Sequence, residues 1–276
     1  MTHVAMGGGG EFDLIRRLVG PGRDLPDGVL VGPGDDCAVW DDGLVASTDL
    51  AVEGVHFRFD WISPEEAGHR AAAAALSDLA AVAARPIGVL LSMALPGADP
   101  SELAERMQAG VRRACDLVEV SVLCGDLSRS MGTVVLTVSV LGRSSAPVLR
   151  SGVQPGHDLW VTGALGGSAG AVALWREGQE PGGPLREAFV APRPRIQEAL
   201  WLSDRVPLGG LIDLSDGLAG DAGHLAAASG VAIHLDPSSL PLHPGSVSYT
   251  HLTLPTKVLV CSGRGGGGGW GGGGGG

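Results

Sequence analysis

Aspartates set beside glycine or serine recur at five places in the chain: Gly34-Asp35-Asp36, Ser47-Thr48-Asp49, Ser77-Asp78, Gly125-Asp126 and Asp213-Leu214-Ser215-Asp216-Gly217. Hard divalent cations such as Mg²⁺ take oxygen ligands in number, and with a nucleotide they combine carboxylates with phosphate oxygens. Any one of these motifs is an ordinary turn or cap. Their joint occurrence points to a site for several ions. Asp78 is the most diagnostic, because Leu76, Leu79, Ala80 and Val82 surround it in a helical stretch. A carboxylate on a buried helix face is costly unless it is paired or bound to metal. Arg70 and Arg85 lie about two turns away on either side, so a metal is more economical there than a salt bridge. A solvated helix stripe is the alternative.

The overall charge fits that chemistry. The chain has 276 residues, a net charge of -11 and a pI near 5.1. This excess of acid argues against nucleic acid or an anionic membrane surface as partner. An acidic protein that binds phosphates needs divalent cations to bridge like charges. The sole lysine is Lys257, so a P-loop, a Schiff-base lysine and the strand lysine of protein kinases are all excluded from the body of the chain. Cys37, Cys115, Cys124 and Cys261 form no C-x-x-C pair, which suggests neither a structural zinc site nor a disulfide framework. Gly7 to Gly10, Glu11 and Asp13 stand where a secretory segment would need an apolar run. A cytoplasmic location is expected.

The elements that must hold these aspartates follow from punctuation and periodicity. LVGPGDDCAVW, the turn Asp41-Asp42-Gly43 and LVASTD read as a hairpin. Ser63 as N-cap, Pro64, Glu65 and Glu66 in the first turn and a long alanine-rich body predict a largely buried helix to about Ala84. IGVLLSMALP reads as a strand, 100–117 as a helix, and VEVSVLCGD and MGTVVLTVSVLG as two further strands. A second unit starts near Pro147. In it HDLWVTG is a strand running into ALGGSAG and a helix, helical patterns cover about 185–203 and 217–229, and GLIDLSDGLAGD passes from strand to acidic turn. VAIHLDPSSLPL reads as one more strand. From about His243 the composition changes to a Thr cluster and a near-pure Gly end that should contribute no element to a core. This stretch reads as foreign sequence standing where the native C-terminal part is missing, with a natural flexible tail as the alternative.

The remaining signals are bland. Gly163 to Gly167 lacks the Lys and the spacing of a Walker loop and reads as close packing. His69, His157, His224 and His234 show no paired metal spacing, Trp40, Trp160, Trp175 and Trp201 read as core, and Arg143 reads as a solvated linker residue.

Taken together, the motifs GEFDLI, GPGDDCAV, STDLAVEGVHF, ALSDLAAVAARP, CGDLSRS, RSGVQPGHDLWVTGALGGSAGA, RPRIQEA and IDLSDGLAGDAGHLA, in this order, resemble the thiamine-monophosphate kinase family. That family shares a superfamily with aminoimidazole-ribonucleotide synthetase, selenophosphate synthetase and a hydrogenase-maturation protein. The resemblance runs from Gly10 to about Leu242. It implies an α/β (α+β) fold, with a ferredoxin-like N-terminal ATP- and Mg²⁺-binding dimerisation domain over 1–145. An α/β C-terminal domain over 146–242 follows, incomplete here, and 243–276 form the low-complexity tail.

The activity implied is phosphorylation of thiamine monophosphate by ATP. Asp35, Ser47, Thr48, Asp49, Asp78, Asp126, Asp213 and Asp216 would bind several Mg²⁺ ions, Gly125, Asp126, Arg150 and Ser215 would contact ATP, and His56 would touch the thiamine phosphate. No residue is implied as a covalent or acid–base catalyst, because the acceptor phosphate is already a nucleophile and the work is positioning and charge neutralisation. A homodimer with sheets joined across the interface is implied as well. The family's Gly-Gly-Glu-Asp-Tyr-type segment and late aromatic have no counterpart here, and Tyr249 lacks the acidic neighbours. Two alternatives therefore stand: a catalytically incomplete nucleotide-binding dimerisation module, and another ATP-using synthetase of the superfamily.

Overall fold

A computed structural model describes residues 25–246, part of a turn of helix at 14–18 and the strand Val258–Ser262. Most of GEFDLI, the glycines before it, Tyr249, Lys257 and the Gly-rich end lie outside the described residues.

The first unit begins as the expected meander. β1 (Val29–Val31), β2 (Ala38–Trp40) and β3 (Leu44–Val52) pair antiparallel in sequence, turning at Gly43, whose φ of 82° suits glycine. Helix α1 (Pro64–Ala81) then leads to β4 (Arg85–Leu95), helix α2 (Ser101–Asp116) to β5 (Val122–Arg129), and β6 (Val135–Arg143) closes the unit. The sheet order is β1-β2-β3-β6-β4-β5; β6 inserts antiparallel between β3 and β4, while β4 and β5 run parallel.

The sequence of α1 dictates its place. Ser63 Oγ accepts from Glu66 N at 3.2 Å and Glu66 Oε2 accepts from Ser63 N at 2.8 Å, a complete capping box ahead of Pro64. Twelve of its eighteen residues are buried, more than the single stripe of a surface helix. Its neighbours explain this: α1 touches β3 and β6 on one side and, on the other, the second unit's helices and its strand Leu208–Asp213. Alanine suits a helix packed on both sides. Against α2 the approach is closer still. A Cβ at Gly68 would collide with the Met107 carbonyl, and one at Gly110 with the Glu65 carbonyl.

The second unit holds β7 (Asp158–Val161), α3 (Gly167–Arg176), α4 (Gly183–Val190), α5 (Ile196–Ser203), β8 (Leu208–Asp213) and α6 (Leu218–Ser229). The helical pattern at 185–203 is thus two helices, because Pro192 and Pro194 break it. Two other expectations fail. VAIHLDPSSLPL is no strand: apart from a short 3₁₀ turn at Pro237–Ser239 and an isolated bridge from Leu242 to Leu165 it makes no ladder, and its apolar side chains pack onto a small cluster around Leu165, Ile212, Leu214 and Leu225. The sheet is instead completed from the tail expected to contribute nothing. There β9 (Val258–Ser262) lies antiparallel between β7 and β8. Composition, dominated by Gly and Thr, concealed the short apolar run Val258-Leu259-Val260, with its two β-branched valines. Trp160 and Trp201 are exposed rather than core, while Trp175 is buried and stacks on Trp61 at 5.5 Å.

Candidate functional site: an acidic cavity

Three elements of the first unit and two of the second converge on one concavity of about 270 Å³. It is lined by Asp35 and Asp36 of the loop before β2, Ser47 and Asp49 of β3, Asp78 of α1, Arg150 at the junction, Asp213 at the end of β8 and Ser215 just after it. Strand periodicity explains how Ser47 and Asp49 enter together: both face α1, and Ser47 Oγ donates to Asp78 Oδ2 at 2.5 Å. Ala74, one turn before Asp78, forms the floor.

Charge is concentrated here beyond what the protein neutralises. Carboxylate oxygens of Asp36, Asp78 and Asp213 lie within 4.8 Å of one another. The cation lining the cavity, Arg150, is committed to Asp36: Nε donates to Oδ2 at 3.0 Å and Nη2 to Oδ1 at 2.5 Å. Its backbone N–H donates to Asp35 Oδ2 at 3.0 Å. Among the described residues Asp78 and Asp213 form no such ion pair, and Asp213 feels the Arg150 charge only at a distance. Burial, then the charges of Asp213, Asp49 and Asp36, push Asp78 well above the ordinary carboxylate range, and burial, then Asp36 and Asp221, do the same to Asp213. Burial and Asp36 raise Asp35 to about 6. Burial raises Asp49 too, against the opposing charge of His56. Crowded carboxylates of this kind are relieved by protons or by metal ions. The donors are all oxygen, which suits a hard dication such as Mg²⁺.

Seven of the expected site residues meet in this cavity: Asp35, Ser47, Asp49, Asp78, Arg150, Asp213 and Ser215. Five do not. Thr48 alternates to the opposite face of β3, where its Oγ1 lies 2.9 Å from Ser139 Oγ. Gly125 and Asp126 stand on the edge strand β5, beside a separate shallow concavity. The register runs Asp126, Ser92, Thr137, Leu50 across the sheet, which puts Asp126 three strands from β3 and on the face of Thr48. His56 is exposed after β3, its Nδ1 accepting from Val52 N at 3.0 Å. Asp216 gathers with Asp221 and His224 instead.

Two contributions were missed. Asp36, adjacent to Asp35 in the same turn, is the Arg150 partner, and its side chain is 1% exposed. His224 is buried, a core rather than a surface position, and the spacing Asp221-x-x-His224 is the sequence signal that sets it apart from the other histidines.

The fold and this cavity define a class. Residues 34–144 match the family described as AIR synthase related protein, N-terminal domain. A thiamine-monophosphate kinase of Mycobacterium tuberculosis is 38% identical over 236 residues, covering 84% of this chain and 70% of that protein. The chain belongs to the thiamine-monophosphate kinase family. Among solved structures, AaThiL complexed with AMPPCP and TMP superposes with a TM-score of 0.79 at 28% identity, covering 94% of this chain and 85% of that one. The thiamine monophosphate kinase from Aquifex aeolicus gives 0.78 at 28% identity, with coverage of 94% and 88%.

Proposed function

We propose that this protein phosphorylates thiamine monophosphate with ATP, and that the acidic cavity is where the phosphates meet. The observation that carries the reading is the excess of carboxylate: Asp36, Asp78 and Asp213 share one small space with a single arginine. Asp35, Ser47, Asp49, Asp78 and Asp213 would hold Mg²⁺, which supplies neutralisation of phosphate charge when bound. Arg150 is locked by its two bonds to Asp36, so it is fixed in place before substrate arrives. Ser215 and Arg150 would contact the nucleotide. The one hydroxyl–carboxylate pair in the cavity, Ser47 with Asp78, is read as a pair of metal ligands and not as nucleophile and base, in keeping with a reaction whose acceptor is already an anion. Thr48, Gly125, Asp126 and His56 are assigned no contact within a single chain.

The reading extends to a division into an ATP- and metal-binding unit over 1–145 and a second unit from 146, to a homodimer, and to a cytoplasmic location. For the dimer the support is the sheet face opposite α1 and α2, with Leu50 exposed on it, and the unpaired edge β5, where Leu123 and Leu127 are exposed. Among the described residues no helix is long and apolar enough to cross a membrane.

The deciding experiment follows ADP release and thiamine diphosphate formation from Mg²⁺-ATP and thiamine monophosphate, with the protein and its Asp78→Asn variant. Turnover by the first and its loss in the second is expected. Metal-dependent ATP binding with no turnover would instead favour an incomplete nucleotide-binding module.

A further inference from the structure

Ser229, the last residue of α6, turns its hydroxyl out of the helix. A helical serine commonly bonds back to the carbonyl one turn earlier, as Ser77 of α1 does in donating to Ala73 O at 2.8 Å. Ser229 reaches the junction between the two units instead. Its Oγ donates to the Arg150 carbonyl at 2.9 Å and accepts from the N–H groups of Gly152 at 3.2 Å and Val153 at 3.1 Å. One donor and two acceptor lone pairs are the full capacity of a hydroxyl.

The loop held in this way is the one that presents the cavity's arginine. From its other side it lies against β8: a Cβ at Gly152 would stand 2.6 Å from the Gly209 carbonyl oxygen, and one at Gly210 would stand 3.3 Å from that of Arg150. Residues 150–153 are therefore caught between the start of β8 and the end of α6. Asp36 fixes the guanidinium of Arg150, and Ser229 fixes the main chain from which it extends. We propose that Ser229 is a positioning residue for phosphoryl transfer, holding Arg150 where its guanidinium meets the phosphates of ATP. This rests on the reading that Arg150 contacts the nucleotide.

Ser229 does not line the cavity, so it acts through Arg150 and not on the substrate. Its place also links the two expected nucleotide contacts, because the turn before α6 carries Ser215 and the last residue of α6 sets Arg150. Removing the hydroxyl strands one carbonyl and two N–H groups at once. A small shift of a charged group away from its working position is enough to weaken phosphate binding.

The full chain is titrated with a non-hydrolysable ATP analogue in the presence of Mg²⁺, and KM for each substrate is taken from steady-state turnover. Ser229→Ala should bind the analogue roughly tenfold more weakly and raise KM for ATP by a similar factor, leaving KM for thiamine monophosphate within about twofold. Ser229→Thr keeps the hydroxyl and should recover most of the affinity. Ser229→Cys, whose thiol bonds weakly, should fall between the two, and it carries the test if Ser229→Ala does not fold. Added to Arg150→Lys, Ser229→Ala should cost less than about twofold more, because the two residues act as one unit. Gly110→Ala, which disturbs the protein at the α1–α2 crossing, should keep the parent's affinity and so separates positioning from a general loss of stability. Affinity lost in Arg150→Lys but kept in Ser229→Ala, full additivity of the two changes, or an equal loss in Gly110→Ala would overturn the proposal alone. Parent affinity in Arg150→Lys would overturn the reading of Arg150 as a nucleotide contact, and the proposal with it.

Discussion

Arg150 and Asp36 meet in a two-pronged ion pair, Nε to Oδ2 at 3.0 Å and Nη2 to Oδ1 at 2.5 Å, with the arginine side chain 13% and the aspartate 1% exposed. The pair ties the junction between the two units to the loop before β2. Removing one member strands the other charge, which typically costs about 3–5 kcal/mol in a buried pair. Arg150→Ala should therefore unfold at markedly lower urea concentration, and Arg150→Lys should recover only part of the loss because an ammonium cannot make both bonds. A denaturation curve unchanged in Arg150→Ala would refute the pair's structural role.

Asp78→Asn should separate stability from activity. In metal-free protein it removes one of three crowded carboxylates, so the melting temperature should rise. With Mg²⁺ the order should reverse, as the variant loses a ligand, and turnover should fall by about a hundredfold or more. Thermal melts with and without Mg²⁺ check the crossover.

The metal-free protein should lose stability as pH rises above about 6.5. Burial and neighbouring charge hold Asp221 near 7 and Asp78 and Asp213 above the carboxylate range, while the contribution of Asp35, held near 6, is lost below that point. An acid whose pKa is raised on folding contributes stability that is complete below its unfolded pKa and disappears as pH rises through the folded one. His69 and His224, lowered by burial from 6.5, act oppositely, but only below that value. Chemical denaturation in chelator from pH 6.5 to 8 should show the decline, and saturating Mg²⁺ should abolish it. A rise over that interval without metal would contradict the assignment.

Leu50→Glu should yield a monomer by sedimentation at concentrations where the parent is a dimer. Leu50 is 54% exposed on the uncovered sheet face, so the change should leave the stability of the single chain within about 0.5 kcal/mol. Identical sedimentation of the two proteins would place the interface elsewhere.

Gly68→Ala and Gly110→Ala should each destabilise by about 1–3 kcal/mol or more, since the new methyl group meets a backbone carbonyl across the α1–α2 crossing. Equilibrium unfolding measures it directly.

Much of this architecture was legible. The cap before Pro64, the hairpin turn at Gly43 and the alternation in β6 are local signals, and each formed as read. Asp78 was legible because its apolar neighbours made its charge anomalous. What could not be read was direction. Ser47, Thr48 and Asp49 are one motif in sequence, yet a strand sends its middle residue to the other face. Asp35 and Asp36 look interchangeable until Arg150 arrives from more than a hundred residues away. Partnerships of that range leave no local trace. Composition misled in the tail, where averaging over glycine hid a five-residue strand.

That strand imposes an order of events. β7 and β8 do not touch through their own ladders; each is hydrogen-bonded to β9. During synthesis both must wait with open edges while the chain between Asp213 and Val258 is made, and only then can the small sheet zip together from its middle outward. Asp213, the last residue of β8, pairs with Val258, so one aspartate of the acidic cavity is anchored in its final register only after Val258 has emerged.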